Sequence, residues 1–179
     1  MQKNILFILM PKDFRDEEFY EPYNLLKEKN YNIDVAGMSQ SKAIGVNGYE
    51  FMPNLSLKDL TQEKLTTYDA LVIPGGPGSV TYLWSNKSIQ DIILEFNKNK
   101  KIIAAICYGV IAIVEAGILI NKKATVYPSL EAKDILQKHN VRFEDSGCVI
   151  LKNEKIITCQ GPKYANDFGH EIINLLEKK

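Results

Sequence analysis

The sequence predicts an α/β domain built on a mainly parallel sheet. Two patterns carry that expectation. Apolar runs of strand length alternate with amphipathic helical stretches along the chain. Two of those runs stop abruptly, one in Pro74-Gly75-Gly76-Pro77-Gly78 and one in Cys107-Tyr108-Gly109, as strands do when they leave the carboxyl edge of an open sheet. A chain of 179 residues with no internal repeat, low-complexity segment or linker reads as one domain over residues 1–179.

Ile5–Leu9 is the first strand, and Phe19, Tyr23, Leu25 and Leu26 mark a helix that ends near Lys29-Asn30. Pro22 is expected within that helix's first turn, because proline removes a donor and clashes in a helix interior. Asn32–Ala36 is a second strand, and Ile44–Met52 forms a hairpin on Asn47-Gly48. Ala70–Ile73 is a buried strand ending in the glycine-rich stretch. A helix over about Ile89–Asn97 comes next, with Ser88 as its N-cap. Lys101–Ile106 leads into Cys107, and a helix from Val110 ends at Gly117. Ala124–Tyr127 is a short strand and Glu131–Lys138 a helix. Val141–Phe143, Cys148–Leu151 and Ile156–Cys159 are late strands, and a helix over about Ala165–Leu176 closes the chain.

Bulk properties exclude several function classes. Lys+Arg and Asp+Glu both total 22, so no basic surplus points to nucleic acid. No apolar run is long enough to cross a bilayer, and the N-terminal apolar stretch runs into Lys12, Asp13 and Arg15 without a cleavage pattern. Three cysteines without metal spacing argue against a disulfide framework and fit a reducing cytoplasm. His139 and His170 are too isolated for a zinc site, and no cofactor or metal is expected.

The chemistry is expected around Cys107. A cysteine between a strand and a helix, with Ala105 before it and Gly109 after it, fits the steric logic of a nucleophile elbow. A helix N-terminus favours the thiolate there; the alternative is a buried cysteine acting as a small hydrophobe. Gly75 and Gly76 would let backbone N–H groups turn toward a ligand, as an oxyanion hole requires, although a tight turn explains them too. Glu18 falls at the junction of first strand and helix, on the same edge as Cys107. It would assist a thiolate only if protonated, as a desolvated carboxyl can be. Acidic residues also simply suit a helix N-terminus.

The set Glu18-x-x-x-Pro22, Pro74-Gly75-Gly76-x-Gly78, Ala105-Ile106-Cys107-x-Gly109 and Thr125-x-Tyr127-Pro128 resembles the ThiJ/PfpI superfamily, whose members include a Parkinson-associated protein deglycase and archaeal intracellular proteases. The resemblance implies a flavodoxin-like three-layer sandwich, usually homodimeric. It implies that Cys107 is a reactive, easily oxidised cysteine and Glu18 a protonated acid hydrogen-bonded to it. By the same resemblance the N–H groups of Gly76 and Tyr108 form the oxyanion hole, and Tyr127 lies near the pocket. Cys159 is expected near that pocket as a substrate-side or resolving thiol, or else as a structural cysteine.

The protease-like members carry histidine directly after the cysteine, where this chain has Tyr108. A phenol is a poor general base at neutral pH, which argues against peptide hydrolysis. The leading expectation is therefore a cytoplasmic, cofactor-independent glyoxalase or deglycase acting on small carbonyls or glycated groups. A redox sensor or chaperone-like protein regulated by oxidation of Cys107 is the alternative. A nucleotide- or flavin-binding module is weakest, because no Walker loop or Gly-x-Gly-x-x-Gly run is present.

Overall fold

The computed structural model describes residues 2–178. Seven strands form one sheet in the order Cys148–Leu151, Ile156–Cys159, Ile102–Ile106, Ala70–Ile73, Asn4–Leu9, Asn32–Gly37, Leu55–Ser56. All neighbours are parallel except the hairpin pair Cys148–Leu151 and Ile156–Cys159. Ile5–Leu9, Ala70–Ile73 and Ile102–Ile106 are buried along their whole length, as expected of strands covered on both faces. This is the α/β arrangement with a mainly parallel sheet that the alternating pattern predicts, and its layering is the flavodoxin-like one that the family resemblance implies.

From Asn4–Leu9 the chain winds first to Asn32–Gly37 on one side and later to Ala70–Ile73 on the other. Reversing direction with right-handed crossovers puts helices on opposite faces and opens a crevice beyond the carboxyl ends of the two inner strands. Helix Asp16–Glu28 packs on helix Ala165–Glu177; helix Lys87–Lys98 packs on helix Val110–Glu115 and on the two central strands. The segments leaving the three inner strands carry Glu18, Gly75-Gly76 and Cys107 into that crevice.

Several local expectations need correction. Pro22 lies inside helix Asp16–Glu28, not in its first turn. The helix accommodates it where the terminal helix comes close: a Cβ at Gly169 would sit 3.1 Å from Pro22 Cα. Helix Lys87–Lys98 is capped by Asn86, whose side chain accepts from Ile89 N, rather than by Ser88. The expected strand Ala124–Tyr127 shrinks to Lys123–Ala124, paired in parallel with Arg142–Phe143. Beyond Ala124 the chain peels away, and Tyr127 is left 45% exposed.

The cysteine expectation is overturned. Cys148 and Cys159 form a disulfide. They face each other in the antiparallel ladder of the late hairpin, so register alone makes them partners. Cys159 is thus neither a resolving thiol free to reach Cys107 nor a substrate-side group, and cysteine usage no longer points to a reducing compartment. Cys107 is the free cysteine among the described residues.

Candidate active site

Cys107 stands at the end of strand Ile102–Ile106 with φ 56°, in the left-handed region that a side chain occupies at a cost of about 1–3 kcal/mol. Its neighbours enforce that turn. Gly75 packs so tightly on it that a Cβ there would come within 2.8 Å of both Cys107 Cβ and Tyr108 N. Gly76, at φ 121°, brings its own backbone under Cys107 while passing against Arg15 and Asp13. The N–H groups of Tyr108 and Gly76 both point at the sulfur.

Glu18 is fully buried in the first turn of helix Asp16–Glu28. Its Oε2 accepts the Gly75 N–H at 2.9 Å. Its Oε1 has no hydrogen bond of full geometry, and the polar side chain facing the carboxyl is the Cys107 thiol. Burial pushes the Glu18 carboxyl up to about 8, against the smaller opposing pulls of Cys107, the Gly75 N–H and the Arg15 charge. Glu18 therefore holds its proton at neutral pH.

Burial also pushes the Cys107 thiol up, and a charged Glu18 would push it further, while the Tyr108 and Gly76 N–H groups pull it down. This corrects the expectation of a thiol made acidic by a helix N-terminus. The next helix, Val110–Glu115, is only 6 residues long, and desolvation outweighs it. Because the two groups face each other, the first proton lost belongs to the pair. A protonated Glu18 removes its own repulsion and can donate to the sulfur, which allows a thiolate to form beside it.

Above the sulfur lies a cavity of about 230 Å³ lined by Arg15, Gly76, Pro77, Cys107, Tyr108, Tyr127 and Pro162. Tyr108 is clamped from two sides: edge-on by Tyr127 (ring centroids 5.3 Å) and by Trp84 (5.5 Å). The Trp84 indole N–H also donates to the Tyr108 carbonyl at 3.0 Å. Trp84 thus holds the peptide next to the nucleophile, and no local motif announces that role. Gly75 and Glu18 lie beneath the floor rather than in the wall. Cys159, His139 and His170 are not among the lining residues. Among the described residues no cluster of His, Cys, Asp and Glu could hold a metal ion, and no helix is long and apolar enough to cross a membrane.

The model of the DJ-1/PfpI family matches residues 3–175. The chain belongs to the DJ-1/PfpI family. It is 37% identical over 174 residues to an uncharacterised protein of Methanocaldococcus jannaschii, covering 97% of this chain and 82% of that one. It is 30% identical over 149 residues to a deglycase of Pyrococcus horikoshii, covering 83% and 86%. It is 28% identical over 176 residues to a glutathione-independent glyoxalase of Caenorhabditis elegans, covering 98% and 90%. The crystal structure of a ThiJ/PfpI domain protein from Brachyspira murdochii superposes with a TM-score of 0.89 at 25% identity, over 98% of each chain. Family membership accounts for the fold; the chemistry depends on this chain's own residues.

Proposed function

We propose that this protein is a cofactor-independent enzyme acting on small reactive carbonyls, with Cys107 as nucleophile and Glu18 as proton carrier. The observation that carries the reading is the buried pair itself: a free cysteine on a strained turn, faced by a carboxyl that keeps its proton at neutral pH. The names deglycase and glutathione-independent glyoxalase borne by relatives support a carbonyl substrate.

On a 2-oxoaldehyde, the Cys107 thiol releases its proton to solvent while Glu18 keeps its own, and the thiolate sulfur bonds to the aldehyde carbon. The developing oxyanion meets the N–H groups of Tyr108 and Gly76 and takes the proton that Glu18 gives up, forming a hemithioacetal. Glu18, now a carboxylate, removes the remaining hydrogen of that carbon as a proton. It returns this proton to the neighbouring carbon while the hydroxyl proton on the first carbon passes to the former ketone oxygen, leaving a thioester of a 2-hydroxy acid. Water then cleaves the thioester: its oxygen stays on the acyl carbon, the product leaves as a carboxylate, and the two protons set free restore the Glu18 acid and the Cys107 thiol. The aldehyde carbon is oxidised and the ketone carbon reduced, so no external oxidant is needed. Nothing in the cavity wall resembles the Cys–His pair of a peptidase, since Tyr108 holds the position after the nucleophile.

Incubation of the purified protein with methylglyoxal, then assay of lactate, tests the proposal. Wild type should convert one to the other, and Cys107→Ala should abolish the conversion. Undiminished turnover by Cys107→Ala would overturn it. Dimerisation, expected from the family resemblance, is proposed as the working state and is read by sedimentation.

A further inference from the structure

We propose that Arg15 makes this pocket selective for 2-oxoaldehydes that carry a carboxylate beyond the ketone. The inference rests on the carbonyl reading of Cys107 and names its substrate class. Arg15 lines the cavity together with Cys107, Tyr108 and Tyr127, and its backbone is fixed there by the Arg15 N–H to Gly75 O bond of 2.9 Å. The other lining residues are uncharged, so the wall carries one formal charge, and it is positive.

That charge is only partly engaged inside the protein. Arg15 forms an ion pair with Glu17, whose Oε2 lies 3.9 Å from Nε, too far for a hydrogen bond, and the Arg15 side chain is 37% exposed. The Glu17 Oε2 that faces it has no hydrogen-bond partner among the described residues. Glu18, which does feel Arg15, is neutral near pH 7 and does not cancel it. The forked donors of the guanidinium are therefore available to a second carboxylate, which they bind in a bidentate manner.

A substrate such as 4,5-dioxovalerate fits this division of the pocket. Its aldehyde carbon meets the sulfur, its oxyanion the Tyr108 and Gly76 N–H groups, and its carboxylate Arg15. The same internal redox shift, with addition of one water, yields 2-hydroxyglutarate.

Two ratios test the assignment. The first is kcat/KM for 4,5-dioxovalerate over kcat/KM for methylglyoxal, measured in wild type, Arg15→Gln and Arg15→Lys. The second is the rate of Cys107 alkylation by iodoacetate over that by iodoacetamide in the same three proteins, which needs no turnover. Arg15→Gln should lower both ratios about tenfold, the usual weight of one charge-assisted contact, and Arg15→Lys should restore part of each. Failure of all three proteins to consume either oxoaldehyde would defeat the proposed function. The alkylation ratio then decides the Arg15 assignment alone. An alkylation ratio that is the same in wild type and Arg15→Gln would overturn it.

Discussion

Asp16 and Glu18 begin the same helix two residues apart, and both carboxyls are buried, at 2% and 0% exposure. Their surroundings give them different work. Asp16 accepts two backbone N–H groups from the hairpin, Asn47 at 2.8 Å and Tyr49 at 2.9 Å, and the absent side chain of Gly45 makes room for it. Glu18 accepts one N–H, from Gly75, and its carboxyl faces the Cys107 thiol. Asp16 thus ties the start of the helix to the hairpin, whereas Glu18 is placed against the nucleophile. The difference lies in what each carboxyl faces: hairpin N–H groups for Asp16, the Cys107 thiol and one N–H for Glu18.

The largest effect expected from this contrast is on catalysis. Glu18→Gln keeps the shape and the contact with Gly75 but cannot shuttle a proton. Lactate formation from methylglyoxal should fall roughly 10²–10⁴-fold. Asp16→Asn should leave turnover per folded molecule within about threefold, because its partners are in the hairpin. Equal losses in the two variants would erase the distinction.

The pH dependence of stability sharpens it. A carboxyl raised from 4.5 to about 8 by folding holds its proton in the native state while the unfolded chain loses it. Stability from this group is thus fully present below about 4.5 and is lost as pH rises through about 8. At about 1.4 kcal/mol per pKa unit the loss is on the order of 4–5 kcal/mol. Urea unfolding at pH 5 and pH 8.5 should show most of that decline, about 4 kcal/mol, in wild type and a much flatter profile in Glu18→Gln. Parallel profiles would contradict the raised carboxyl.

Removing the Asp16 tie to the hairpin should cost less. Asp16→Ala strands the Asn47 and Tyr49 N–H groups, for a loss of about 2–3 kcal/mol, or roughly 4–12 °C in Tm by calorimetry. Trp84→Phe should have the smallest effect. It keeps an aromatic ring against Tyr108 but drops the 3.0 Å bond to its carbonyl, and should slow turnover a few-fold through the loosened Tyr108 N–H.

Much of this site is legible in the sequence because strand ends are legible. Ala70–Ile73, Cys148–Leu151 and Ile156–Cys159 have the predicted bounds, and an open parallel sheet delivers the segments beyond its inner strands to one crevice. That logic brings Glu18, Gly75, Gly76, Cys107 and Tyr127 to one edge. It does not reach features that depend on pairing across the fold. The Cys148–Cys159 bond is a consequence of hairpin register: with both strands known and residues 152–155 as the turn, residue 148 must face 159. Counting cysteines hides this. Trp84 and Arg15 are obscure for a different reason. Trp84 acts on a carbonyl 24 positions away, and Arg15 sits in a charged run that suits any helix N-terminus. The thiol's acidity is not legible either, because a local pattern reports the helix after Cys107 but not the burial around it.

The chemistry proposed for this pocket requires Glu18 to be protonated beside Cys107 at neutral pH. Infrared difference spectra of wild type minus Glu18→Gln at pH 6.5 read that proton directly. A carboxylic-acid carbonyl band present in wild type and missing from the variant is the expected result. A difference spectrum showing only carboxylate bands would contradict it.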